Sequence, residues 1–81
     1  LSSIYYLIDK YKSKKENDLL DLISLSIESY YNELCLKGAN INQHIFDRYK
    51  ILYLINNLKK FNLDKKNSLI CIEGILLNAQ R

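Results

Sequence analysis

An all-α fold, a small bundle of four to five helices, is the architecture this sequence predicts, and three observations carry it. Apolar residues recur at i, i+3, i+4 and i+7 along nearly the whole chain of 81 residues. No proline interrupts them. The gaps in the pattern fall on Ser, Asn, Asp and Gly, the residues that cap helix ends. Short segments such as SLICI could pass for strands in isolation, but they sit inside patterns that stay helical for more than a dozen residues, so length decides for helix.

The first helix is expected to be capped by Ser2 or Ser3, with Ile4, Leu7, Ile8 and Tyr11 forming one apolar stripe before the pattern fades in SKKEN. Asn17 or Asp18 then caps a longer helix. Its main stripe is Leu19, Ile23, Ile27, Tyr30 and Leu34, broadened by Leu20, Leu22, Leu25 and Tyr31, and Gly38 ends it because glycine enters the left-handed conformation without steric penalty. The third helix starts near Asn40 or Asn42, where the spacing of Asn40 and Gln43 fits a loose capping box, and runs to about Phe61. Ile45, Tyr49, Leu52 and Ile55 give it one stripe; Ile51, Leu54 and Leu58 give it another. Asn62 tolerates positive φ, Leu63 can fold back onto the core, and Asp64 can accept from the free amides of the next helix. That last helix, Lys65 to about Gln80, carries Leu69, Ile72, Ile75, Leu76 and Ala79 with Ile70, Cys71 and Leu77 beside them. Apolar around most of its circumference, it is expected to be buried.

A hydrophobic content of 48% in 81 residues is material for one small domain, residues 1–81. The chain begins with Leu1 rather than methionine, which leads us to expect a piece of a longer protein. Signal-peptide features are absent, and charged or amide residues interrupt every apolar run well before the roughly 20 residues a bilayer requires, so a cytoplasmic location is expected. Cys35 and Cys71 both lie among apolar residues at helical spacing and read as buried structural thiols, with a disulfide the alternative.

The net charge of +3 is too mild to imply nucleic acid by itself. Lysines cluster twice, at Lys10, Lys12, Lys14 and Lys15 and at Lys59, Lys60, Lys65 and Lys66. Both clusters read as cations gathered near helix C-termini, where the macrodipole favours them, with phosphate contact as the alternative. Chemistry-bearing groups are sparse. His44 is the one histidine, which excludes a multi-histidine metal site and reads as a first-turn helix residue. Gly38 and Gly74, the two glycines, stand too far apart for a P-loop or dinucleotide fingerprint. Glu16 and Asp18 fit helix N-terminal electrostatics better than acid–base work. No catalytic, metal or cofactor site is therefore expected in this segment, and it is not expected to be an enzyme. The seven tyrosines, with Tyr30 and Tyr49 in core stripes, are expected to pack in a core or an interface rather than to stack a ligand.

Residues 48–81, RYKILYLINNLKKFNLDKKNSLICIEGILLNAQR, resemble the end of the delta-prime subunit of the bacterial DNA polymerase III clamp loader, in its alphaproteobacterial form. That family closes with an arginine and two spaced tryptophans on a helix, then an Asn-Leu-Asp-Arg-Lys-Gln turn, then an apolar helix. Here Arg48, Tyr49 and Tyr53 take the first places, and Asn62, Leu63, Asp64, Lys65, Lys66 and Asn67 the second. Tyrosine stands for both tryptophans, Lys65 for arginine and Asn67 for glutamine, while residues 1–42 agree only as helical sequence. Use of Ile, Lys, Asn and Tyr is also heavy, as in proteins of AT-rich genomes.

The resemblance implies a collar domain: a helical unit that joins those of the gamma/tau and delta subunits in a ring and holds the loader pentamer together. ATP-driven loading of the sliding clamp onto primed DNA would then lie in ATPase-like modules upstream. The parent would be a non-catalytic subunit of the polymerase holoenzyme, and the family's arginine finger and zinc-binding cysteines belong to its N-terminal part. No catalytic residue is carried over. Tyr49 and Tyr53, four apart on one side of the third helix, become candidate subunit-interface anchors, with intramolecular core as the competing role. Two other classes of function fit the composition: a free-standing helical adaptor, and a small helical nucleic-acid binder that uses the lysine clusters.

Overall fold

The computed structural model describes residues 1–61 and 65–80. Over these it is built from four α-helices: α1 (Ser2–Lys14), α2 (Asn17–Leu36), α3 (Ile41–Phe61) and α4 (Lys65–Ala79). The turn expected at Asn62, Leu63 and Asp64, including the capping role of Asp64, lies outside the described residues.

Each helix contributes one stripe to a single core. Ile4, Ile8 and Tyr11 come from α1; Leu19, Leu20, Ile23, Ile27 and Tyr31 from α2; Ile51, Ile55 and Leu58 from α3; Leu69, Ile72 and Leu76 from α4. α2 packs between α1 and α3, and α3 carries α4 on another flank. The α2–α3 pair is antiparallel. Asp21 near the start of α2 takes a salt bridge from Lys59 near the end of α3, and the ring of Tyr31, late in α2, lies 6.1 Å from that of His44, early in α3. α1 and α4 are antiparallel too, joined by Lys12 Nζ to Glu73 Oε1 at 2.7 Å and by Gln80 Nε2 donating to the Tyr5 hydroxyl at 3.0 Å. The radius of gyration, 12.2 Å, matches the ~12 Å of a compact domain this long. No helix among the described residues is long and apolar enough to cross a membrane.

The helix ends differ from the sequence expectation in chemistry more than in place. Ser2 is already helical and Leu1 is the N-cap of α1; Glu16, rather than Asn17 or Asp18, is the N-cap of α2; neither makes a side-chain capping bond. No capping box forms at α3. Asn40 adopts φ 56° and its carbonyl accepts from the His44 amide at 3.0 Å, while Gln43 turns forward to donate to Asp47 Oδ1 at 2.8 Å. With such weak N-caps, helix stability rests on the packed faces rather than on the ends.

Gly38 behaves as anticipated, at φ 84° just beyond α2. A Cβ there would meet nothing within 4 Å, so substitution costs backbone strain alone. Gly38→Ala is expected to destabilise the domain by about 1 kcal/mol, read as a drop in melting temperature of roughly 4–8 °C; an unchanged melt would contradict the left-handed cap.

Candidate functional site

The α3 helix is where sequence and structure diverge most, and it carries the candidate site. Its buried positions are His44, Asp47, Ile51, Ile55 and Leu58, so the core uses the Ile51–Leu58 stripe. The alternative stripe is divided: Ile55 is buried and Leu52 packs against the core, while its N-terminal half is outside. Ile45 is 48% exposed and Tyr49 74% exposed, which corrects the placement of Tyr49 in the core. Phe46, Tyr49 and Tyr53, at i, i+3 and i+7, form an aromatic row on the side of α3 opposite the core. They are 61%, 74% and 54% exposed. Together with Lys50 and Leu54 they line a shallow depression of about 460 Å³.

The physical reason is a shortage of cover. α3 is flanked by α2 and α4, while the short α1 packs on α2 and closes across to α4. No helix among the described residues lies over the outer side of α3. The aromatic row therefore stands as an apolar patch on the order of 400 Å², given 150–250 Å² per aromatic side chain, the size of the largest patch on a typical monomer, which is often a functional one. A tyrosine can bury its ring in a partner while its hydroxyl stays wet, which suits Tyr49 and Tyr53 to anchoring. α4 shows a smaller surplus of the same kind. Ile70 and Leu77 are exposed, so that helix buries the stripe of Leu69, Ile72 and Leu76 rather than most of its circumference.

Sequence reasoning missed a polar group at the α2–α3 contact. His44 and Asp47 are each 8% exposed and Tyr31 is 0% exposed. Neither the Tyr31 hydroxyl nor His44 Nδ1 has a hydrogen-bonding partner among the described residues. Burial, then the nearby Asp47 carboxylate, push the Tyr31 hydroxyl far above its ordinary pKa. The signal was present in the spacing. Extending the stripe of Ile51 and Leu58 back by four and seven residues lands on Asp47 and His44, which a count of apolar residues passes over.

The two cysteines are free and half-buried rather than buried. Of the lysines, Lys12 and Lys14 sit in the last turn of α1 and Lys59 and Lys60 in the last turn of α3, as the macrodipole argument expects. Lys65 and Lys66 do not follow it: they open α4. The hydrogen bond that Lys12 donates to Glu73 raises the Lys12 pKa, against a smaller opposing effect of burial.

No protein family, curated protein or solved structure matches the chain.

Proposed function

We propose that this chain is the collar domain of a delta-prime-type clamp-loader subunit of bacterial DNA polymerase III, and that it docks onto neighbouring subunits through the outer face of α3. The observation that carries the reading is the position of Tyr49 and Tyr53. They occupy the places of the two tryptophans in the family pattern, and they stand exposed on the side of α3 away from the core. Large aromatic residues kept at the surface in a row are what an interface needs and what a monomer avoids. The all-helical bundle is compatible with a collar.

In this role the domain does no chemistry. It fixes the relative positions of the gamma/tau and delta subunits so that ATP binding in upstream modules can open the sliding clamp and close it on primed DNA, in the cytoplasm. The rigidity required comes from the shared core of four helices, and the binding energy from the face that core leaves uncovered. A free-standing helical adaptor would use the same α3 face with different partners, so the partner is the discriminating variable.

The test is co-expression with gamma/tau and delta subunits and affinity capture of the complex. Tyr53→Ser is expected to lose capture at least tenfold, since a hot-spot aromatic contributes about 2 kcal/mol or more, and to leave the melting temperature within a few degrees. A collapsed fold would mean that Tyr53 belongs to the core. Capture unaffected by the substitution would remove the α3 face from the interface, and failure of the unaltered chain to be captured would defeat the collar assignment.

A further inference from the structure

Half of each lysine cluster, distant in sequence, meets in space. Lys12 and Lys15 at the end of α1 and Lys65 and Lys66 at the start of α4 surround one cleft of about 410 Å³, whose other walls are Tyr11, Leu69 and Ile70. The cleft has an apolar floor and a cationic rim. Tyr11 and Leu69 are buried and Ile70 is exposed, and the Lys65 ammonium stands 5.8 Å from the centre of the Tyr11 ring. Lys12 is paired with Glu73 at 2.7 Å and lies 3.9 Å from Asp9, which leaves Lys15, Lys65 and Lys66 as the cationic part of the rim.

The floor decides what kind of anion fits. Tyr11 is 1% exposed, so its ring offers no open face on which a nucleic-acid base could stack. A ligand that is all charge would leave Ile70, the exposed part of the floor, against water. An occupant that uses both features carries apolar side chains between carboxylates.

The outer face of α2 has that composition. Along the helix there are four carboxylates, Asp18, Asp21, Glu28 and Glu33, and no lysine or arginine. All four are exposed; Asp21 is paired with Lys59 of α3, which leaves Asp18, Glu28 and Glu33 to meet a partner. Leu22 and Leu25, between them, are 49% and 64% exposed, on the side of α2 away from its buried stripe. We infer that the lysine-rimmed cleft receives the acidic, leucine-bearing face of α2 from a second copy of this chain. Charge complementarity steers and orders the contact, and the leucines cover Ile70, the exposed apolar residue of the floor. Because the two surfaces differ, the contact is head-to-tail, so each added copy leaves one cleft and one α2 face open and assembly runs on into chains or closes into a ring. The contact uses neither Tyr49 nor Tyr53 and stands apart from the clamp-loader assignment.

Sedimentation velocity of the whole chain tests it. At an ionic strength of about 0.01 M the average mass should rise above that of the 9.6 kDa monomer with increasing concentration, and return to the monomer at about 1 M, where exposed charges are screened within a few Å. Lys65→Glu with Lys66→Glu, and separately Asp18→Lys with Glu28→Lys, should each remain monomeric at low salt. Mixed in equal amounts, the two double variants should associate again, because each now meets the opposite charge; this recovery also shows that both are folded. A chain that is monomeric at every concentration, or variants that fail to recover on mixing, would overturn the inference. So would association lost in Tyr53→Ser, which would place the contact on α3. Tight binding of a single-stranded DNA oligonucleotide, lost in the Lys65→Glu, Lys66→Glu variant and competing with self-association, would assign the cleft to nucleic acid instead.

Discussion

Truncation of Ile51 to alanine is expected to cost about 3 kcal/mol, whereas the same truncation at Ile45 is expected to cost under about 1 kcal/mol. Both are isoleucines in the first three turns of one helix, and each belongs to a stripe that the sequence offers as a core face. Ile51 is 0% exposed and Ile45 is 48% exposed. Deleting the Ile51 side chain removes its apolar burial and leaves a cavity among the neighbouring helices; at Ile45 the lost atoms were half in water already. A domain of this length has ~4–12 kcal/mol of stability, so Ile51→Ala removes a large fraction of it. Urea titration of the two variants reads the difference directly, and equal losses would mean that α3 turns a different face to the core.

Tyr31→Phe is expected to stabilise the domain by about 1 kcal/mol, the reverse of the usual effect of altering a buried residue. The Tyr31 hydroxyl is buried without a partner among the described residues, and an unsatisfied buried polar group costs about 1–3 kcal/mol. The ring remains and keeps its edge-to-face contact with Tyr30, 5.3 Å between centroids, so packing is preserved. The same residue sets the alkaline limit. Tyr31 is held protonated in the folded chain by burial first and by Asp47 second, and burial also raises Tyr11 and Tyr30. Folded pKa values above the ordinary tyrosine value of 10.0 mean that the unfolded chain releases these protons first. The stabilisation is therefore present in full below about pH 10 and is lost as pH rises from there towards the folded pKa values. Tyr31→Phe should flatten that decline. A stability profile level above pH 10, or a phenylalanine variant less stable at neutral pH, would contradict the account.

The fold was legible in the sequence because helix periodicity and the gaps at SKKEN and around Gly38 agree with each other. Ile4, Ile8 and Tyr11 on α1 could be assigned to the core from spacing alone, since that helix has one dominant stripe; α4, apolar around most of its circumference, offered Leu69, Ile72 and Leu76 together with Ile70 and Leu77, which are exposed. α3 could not be oriented that way. Its apolar residues form two stripes, and the choice between them depends on which neighbours cover it, a property of the whole bundle. Asp47 and His44 complete the buried stripe with polar side chains, so the pattern is visible only once Ile51 and Leu58 are known to face inward. Tyr31 rather than Tyr30 takes the deepest place on α2 for a related reason: the two are adjacent, and the helix rotation that buries Leu20 and Ile27 carries Tyr31 in with them. The cleft of lysines was hidden because residues about fifty positions apart create it. Tyr49 and Tyr53 were recognisable as a pair in sequence, but their exposure follows from the orientation of α3.

The most direct test of the docking face is a residue-resolved amide titration of the chain by nuclear magnetic resonance as isolated gamma/tau and delta subunits are added. Binding is expected, with shifts or line broadening concentrated at Phe46, Tyr49, Lys50 and Tyr53 on the outer side of α3, and with Ile51 and Ile55 on the core side retaining their amide protection. Binding that left the α3 signals in place, or no binding at all, would contradict that expectation.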